Sequence, residues 1–229
     1  MQGLKHVFHP TKRMTPNEWK THINTAFENA EKGISKITKD IVDMEGMTGL
    51  KTRHFYNNML NREGCRYLEI GTWKGSSVCS AMCGNHAKVL CIDNWSEFGG
   101  PKEEFLANFK KHRGENEAAF IEKDCYQVDA DALPKHNIYL YDGEHSWDNH
   151  YNALPHYYRC MDNLFVFMVD DWNWEHVRDA TFRSFDAVGA KVLYHREVRT
   201  TNNNQEPIKG SAEEHAWHNG IYVALIQKA

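Results

Sequence analysis

Four side chains stand where they could do chemistry: Asp142 and His145 in IYLYDGEHSW, and Asp170 and Asp171 in FVFMVDDWNW. Each group follows a short apolar run, so both sets are expected at the ends of buried strands. Adjacent strand ends would bring them into one crevice. Three carboxylates gathered there repel one another unless a cation or a bound substrate compensates, and their hard oxygens suit Mg²⁺ or a similar divalent ion. Asp142, Asp170 and Asp171 are therefore candidate metal ligands. His145 has a side chain that titrates near neutral pH and is the candidate general base, with Asp142 as its catalytic neighbour. Each residue taken singly also has a structural reading: Asp170 and Asp171 as caps of a helix starting near Trp174, His145 as a hydrogen-bonded turn residue.

A second set lies upstream in RYLEIGTWKGSSVCS, Arg66 to Ser80, where a short apolar run passes through two glycines into a helical pattern. Gly71 and Gly75 allow a sharp turn and close approach of a ligand, and Thr72, Trp73, Ser76 and Ser77 complete the loop and the helix start. Asp93 ends the next apolar run, VLCID, where an acid can accept hydrogen bonds from two ribose hydroxyls, with Asn94 and Trp95 following it. Asp124 and Cys125 follow FIEK, where the next strand end would approach an adenine ring; an exposed loop acid is the other reading of Asp124. The third glycine of a dinucleotide loop is missing, and Glu69 stands inside the strand before the turn. An anion there suits a cationic amino or sulfonium ligand better than a pyrophosphate, which favours an adenosyl amino acid.

These residues need a scaffold, and from Arg66 onward short apolar runs alternate with longer amphipathic ones, the pattern of βαβ units around a mostly parallel sheet. Seven strands are expected: 66–70, 88–93, 118–122, 137–142, 164–170, 191–195 and 221–227. Helices are expected over 76–82, 102–112, 148–158 and 175–188. Residues 1–60 show amphipathic helical patterns at 15–30 and 50–60 and no strand signal, and read as a helical cap or a homodimer contact. The polar stretch 198–220 reads as an excursion, either a lid or a solvated loop. Of the tryptophans, Trp147 and Trp172 lie nearest the candidate metal acids and are the favoured pocket walls, although packing is the commoner role for a tryptophan.

Composition narrows the class. A chain of 229 residues with 41% hydrophobic and 25% charged residues suits one α/β domain with an ordinary core. A formal charge of -4, with Lys and Arg scattered, argues against a nucleic-acid partner. No run approaches a membrane span, and MQGLKHVFHPTKR lacks the apolar core of a signal peptide, so a cytoplasmic protein is expected. The six cysteines sit singly in or beside apolar segments and read as reduced core thiols.

The set Glu69-Ile70-Gly71-x-x-x-Gly75, the acid at Asp93 and seven strands with a final antiparallel pair resemble the class I S-adenosylmethionine-dependent methyltransferases. The resemblance runs from about Leu50 to the C-terminus, and implies a Rossmann-like, seven-stranded, mostly parallel sheet with helices on both faces. It makes 61–229 the cofactor-binding domain behind the 1–60 cap. It also implies that the glycine loop flanks the methionine part of S-adenosylmethionine, that Asp93 binds the ribose and that Asp124 lies by the adenine. The second constellation is similar to the metal-dependent O-methyltransferases, both the catechol type and those acting on sugars of natural products. There an Asp matching Asp142 and an Asp-Asp or Asp-Asn pair matching Asp170 and Asp171 hold the ion. The catechol type has Lys where this chain has His145, and the sugar-modifying branch has the Asp-Gly-x-His form seen here. The implied activity is methylation of a small-molecule hydroxyl. A nicotinamide-dependent oxidoreductase on a related sheet and a non-catalytic adenosyl-binding protein are the other two classes these residues allow.

Overall fold

The computed structural model describes residues 13–229; the stretch read above for a targeting signal lies almost wholly outside the described residues. The seven strands are β1 (Arg66–Ile70), β2 (Lys88–Asp93), β3 (Glu117–Glu122), β4 (His136–Tyr141), β5 (Met161–Asp170), β6 (Lys191–Val198) and β7 (Ile221–Gln227). They form one sheet in the order β3-β2-β1-β4-β5-β7-β6. The first five are parallel, while β7 runs antiparallel to both β5 and β6. The expected Rossmann-like sheet with an antiparallel final pair is the observed one, with strand ends displaced by a few residues.

Strand alternation divides the core. On β4, Ile138 and Leu140 join one apolar cluster and Tyr139 and Tyr141 the other, as the two-residue period of a strand requires. The first face is covered by α1 (Pro16–Glu31), α3 (Leu50–Leu60), α4 (Ser76–Met82) and α5 (Lys102–His112). The second is covered by α6 (Trp147–Tyr157) and α7 (Glu175–Val188). Helix α1 begins with a capping box, Thr15 and Glu18 each bonding the other's backbone N–H, and Pro16 stands in its first turn. The buried stripe Trp19, Ile23, Phe27 and Ala30 packs α1 onto α3, and Phe27 meets Phe55 with ring centroids 4.3 Å apart.

Two short helices, α2 (Lys39–Val42) and α8 (Ala212–Trp217), fall outside the sequence expectation. Helix α8 gives the 198–220 excursion a regular element: Ser211 caps it through the Glu214 N–H, and Trp217 packs on Phe27 and Phe55. The direction of winding reverses between β1 and β4, and the crevice outside the carboxyl ends of these strands is where ligands bind in such sheets. Among the described residues no helix is long and apolar enough to cross a membrane.

Candidate active site

A cavity of about 500 Å³ opens at this reversal. Its β1 wall is the glycine loop. Gly71 has φ 80°, and a Cβ on it would sit 1.9 Å from the Asp142 carbonyl oxygen, so the ends of β1 and β4 can close on each other only if this residue is glycine. Gly75, at φ 87°, turns the chain into α4. Gly71, Thr72, Trp73, Ser76 and Ser77 line the cavity, whereas Gly75 and Glu69 do not.

Glu69 is fully buried behind the loop, accepting hydrogen bonds from Tyr67 Oη at 2.5 Å and Ser77 Oγ at 2.6 Å. Burial, offset only in part by these two donors, pushes its carboxyl up to about 7. The structure thus places Glu69 one layer from the ligand space, braced against the first turn of α4 rather than facing the cavity.

Asp93 organises the next wall. Its Oδ2 accepts from the Thr72 N–H at 2.7 Å and the Trp73 N–H at 2.9 Å, and its Oδ1 from the Trp95 N–H at 2.7 Å. One acid therefore ties the end of β2 to the glycine loop, and Oδ1 still has acceptor capacity toward the cavity. Asn94 and Trp95 follow it along the same wall. Asp124 accepts from the Tyr126 N–H at 2.8 Å and, with Cys125, lines the end beyond β3.

The second constellation also converges here: Asp142, His145, Asp170 and Asp171 all line the cavity. His145 Nε2 lies 3.3 Å from Asp171 Oδ2, and its Nδ1 lies 3.2 Å from Nε2 of the buried His150. Asp171 takes φ 56°, a left-handed backbone that turns the chain immediately after β5. The capping alternative for the acids is not what the structure shows: Trp174 is the N-cap of α7, with no side-chain cap bond. Burial, followed by repulsion from neighbouring carboxylates, holds Asp142 and Asp170 well above the usual carboxylate range, and the two carboxyls are within hydrogen-bonding contact. The donor chemistry suits a hard cation, yet among the described residues no group of three or more His, Cys, Asp or Glu side chains is disposed to hold a metal ion.

Other residues reach the cavity without having been marked in the sequence. Met47 and Thr48 arrive from the loop before α3, and Glu206 and His218 from the excursion between β6 and β7. That excursion is pinned to the acid loop by the buried Asn173, which donates to Thr200 Oγ1 at 2.7 Å and accepts from the Thr200 N–H at 2.9 Å. Tyr56 of α3 brings a buried hydroxyl without a hydrogen-bond partner, and burial together with Asp170 and Asp142 keeps its proton on. The tryptophan reading needs correction. Trp172 is fully buried, stacks on Tyr222 at 4.2 Å and donates to Glu197 at 2.5 Å, while Trp147 stacks on Tyr151 away from the cavity. The cavity tryptophans are Trp73, Trp95 and Trp174.

Comparison with known proteins agrees with this geometry. Residues 68–172 match the family model described as a methyltransferase domain. A provisionally assigned O-methyltransferase from Klebsiella pneumoniae superimposes with TM-score 0.55 at 12% identity, covering 95% of this chain and 92% of its own. An O-methyltransferase from Bacillus cereus, solved in complex with SAH, gives TM-score 0.54 at 9% identity, covering 95% and 93%. A provisionally assigned RNA methyltransferase from Pyrococcus horikoshii, PH1948, gives 0.52 at 10% identity, covering 95% and 100%. A comparison with curated protein sequences finds no match. The match over residues 68–172 and the shared fold support the resemblance of this chain to the class I S-adenosylmethionine-dependent methyltransferases, O-methyltransferases among them.

Proposed function

We propose that this methyltransferase transfers the methyl group to a hydroxyl of a small molecule, assisted by a divalent cation. The observation that carries the reading is the placement of His145, paired with Asp171, on the same cavity as the glycine loop and Asp93. In this reading the methionine part of the cofactor lies along Gly71–Ser77, the ribose on Asp93 and the adenine by Asp124 and Cys125. The segment 1–60 serves as a cap whose loop before α3 supplies Met47 and Thr48 to the cavity of the domain formed by 61–229.

The substrate hydroxyl gives its proton to His145 Nε2, and its oxygen attacks the sulfonium methyl carbon. The methyl carbon–sulfur bond breaks in line and S-adenosylhomocysteine leaves as a thioether. Asp171 orients the ring and stabilises the imidazolium that forms. Holding oxygen and methyl in line accounts for most of the rate, since orientation alone reaches roughly 7–11 kcal/mol in favourable cases. As arranged here the acids do not form a metal site, so a divalent ion would be held by Asp142, Asp170 and Asp171 only after these side chains rearrange, and it would then make the substrate hydroxyl more acidic.

The test is S-adenosylhomocysteine release during incubation with S-adenosylmethionine and a panel of phenols, sugars and short RNAs, with Mg²⁺ or with EDTA. Turnover confined to small hydroxyl compounds and abolished by EDTA supports the reading. Turnover of RNA alone contradicts the substrate class, and turnover indifferent to EDTA contradicts the metal.

A further inference from the structure

Behind His145 lies a buried polar side chain that the proposed reaction leaves unused. His150, near the start of α6, is 1% exposed and does not line the cavity. Among the described residues its side-chain hydrogen bond is the one at 3.2 Å between its Nε2 and Nδ1 of His145, and its own Nδ1 is buried without a partner. Packing alone does not account for a histidine here. A hydrocarbon side chain would fill the same space beside the Tyr141 ring, whose centroid is 5.0 Å away, without stranding a nitrogen.

His145 is held at three points. Its Nδ1 meets His150, its Nε2 lies 3.3 Å from Asp171 Oδ2, and its carbonyl oxygen accepts from His176 Nε2 at 2.8 Å. Turning the ring over would put carbon where each nitrogen stands and leave both ring partners unpaired. The two ring contacts are not equivalent. Asp171 lines the cavity, where a bound substrate competes for Nε2, whereas the contact with His150 is closed off from it. Burial, with His145 and His176 adding to it, holds the His150 imidazole well below the ordinary histidine range, so the ring stays neutral. A neutral imidazole nitrogen donates or accepts according to its tautomer, so His150 pairs with Nδ1 of His145 whether that atom carries a proton or a lone pair.

We propose that His150 is a positioning residue: by bonding Nδ1 it turns Nε2 of His145 toward Asp171 and the cavity and keeps it there while the acceptor hydroxyl is bound. The inference rests on the reading of His145 as the base. His150 touches neither substrate nor cofactor and acts through His145 alone.

The experiment compares the wild type with His150→Leu, His150→Phe and His150→Gln, with a thermal melt of each. Long-range ¹H–¹⁵N spectra of the imidazole rings are recorded at mildly alkaline pH, the His145 signals being assigned by their loss in His145→Ala. Steady-state kinetics use a compound of the panel above that is turned over; the spectra need no substrate and decide without one. We expect His145 in the wild type to show one protonated and one bare nitrogen, His150→Leu and His150→Phe to average the two, and His150→Gln, whose amide also donates or accepts, to keep them distinct. The two apolar substitutions should lower kcat by about 10–100-fold with KM unchanged, the range typical when the group that orients a functional histidine is removed, and His150→Gln should recover most of the loss. His150→Leu strands no nitrogen and should melt no lower than the wild type, which separates ring orientation from folding. Distinct His145 nitrogens or wild-type kcat in the apolar variants overturns the proposal and leaves the base reading intact. Wild-type turnover in His145→Ala removes the base reading and the proposal with it.

Discussion

The two halves of the cavity are built on opposite principles. On the β1–β2 side the polar groups are already satisfied: Asp93 accepts three backbone N–H groups and Glu69 is held by Tyr67 and Ser77. On the β4–β5 side Asp142 and Asp170 press against each other, and the Tyr56 hydroxyl beside them has no partner. A preorganised wall binds a constant ligand with little rearrangement, whereas a wall of crowded acids is stabilised by whatever brings positive charge or hydrogen-bond donors to it. In the proposed reading the first half therefore takes the cofactor and the second the methyl acceptor.

The strongest way to break this division is His145→Ala. If His145 is the base proposed above, its loss should lower turnover of an accepted substrate by about 10²–10⁴-fold while leaving S-adenosylhomocysteine affinity unchanged, read by steady-state kinetics and calorimetry. A parallel fall in cofactor affinity would mean that the halves are not separate. Gly71→Ala strikes the seam between them: with a methyl group 1.9 Å from the Asp142 carbonyl oxygen, a destabilisation of about 3 kcal/mol or more is expected in chemical denaturation.

Glu69→Gln sharpens the contrast through pH. Because the Glu69 pKa is raised from 4.5 to about 7, its folded-state proton stabilises the protein fully below pH 4.5, and that contribution is lost as pH rises through 7. Relative to Glu69→Gln, the wild type should lose on the order of 3 kcal/mol between those limits, measured by denaturation at a series of pH values. A pH-independent difference would show that Glu69 is ionised throughout. The smallest effect belongs to Trp172→Phe, which removes the bond to Glu197 and should cost about 1–2 kcal/mol of stability with kcat and KM unchanged, as suits a packing residue.

Most of the scaffold was legible because it is periodic. Strand positions such as 66–70 and 221–227 and helices such as 102–112 follow from runs long enough to show their repeat. Helices α2 and α8 were not, since segments of four and six residues contain too little of a helical period to register. The site divided in the same way. Asp93, Asp142, Asp170 and Asp171 announce themselves by standing where apolar runs stop. Met47, Thr48 and His218 reach the cavity only because the chain before α3 and after α8 passes near these strand ends, and that approach leaves no local signal. Glu69 shows the converse: its position in the strand suggested a ligand contact, but side-chain alternation and the two donors turned it into the wall behind. Trp147 and Trp172 were misjudged because nearness in sequence to Asp142 and Asp171 does not fix which way a side chain points after the strand has ended.

The division of the cavity is tested most directly by calorimetric titration of S-adenosylhomocysteine into the wild type, Asp93→Ala and Asp142→Asn. Saturable binding by the wild type, abolished in Asp93→Ala and retained in Asp142→Asn, is the expected result. Binding that survives Asp93→Ala, or that disappears with Asp142→Asn in a protein that still melts cooperatively, would contradict the account.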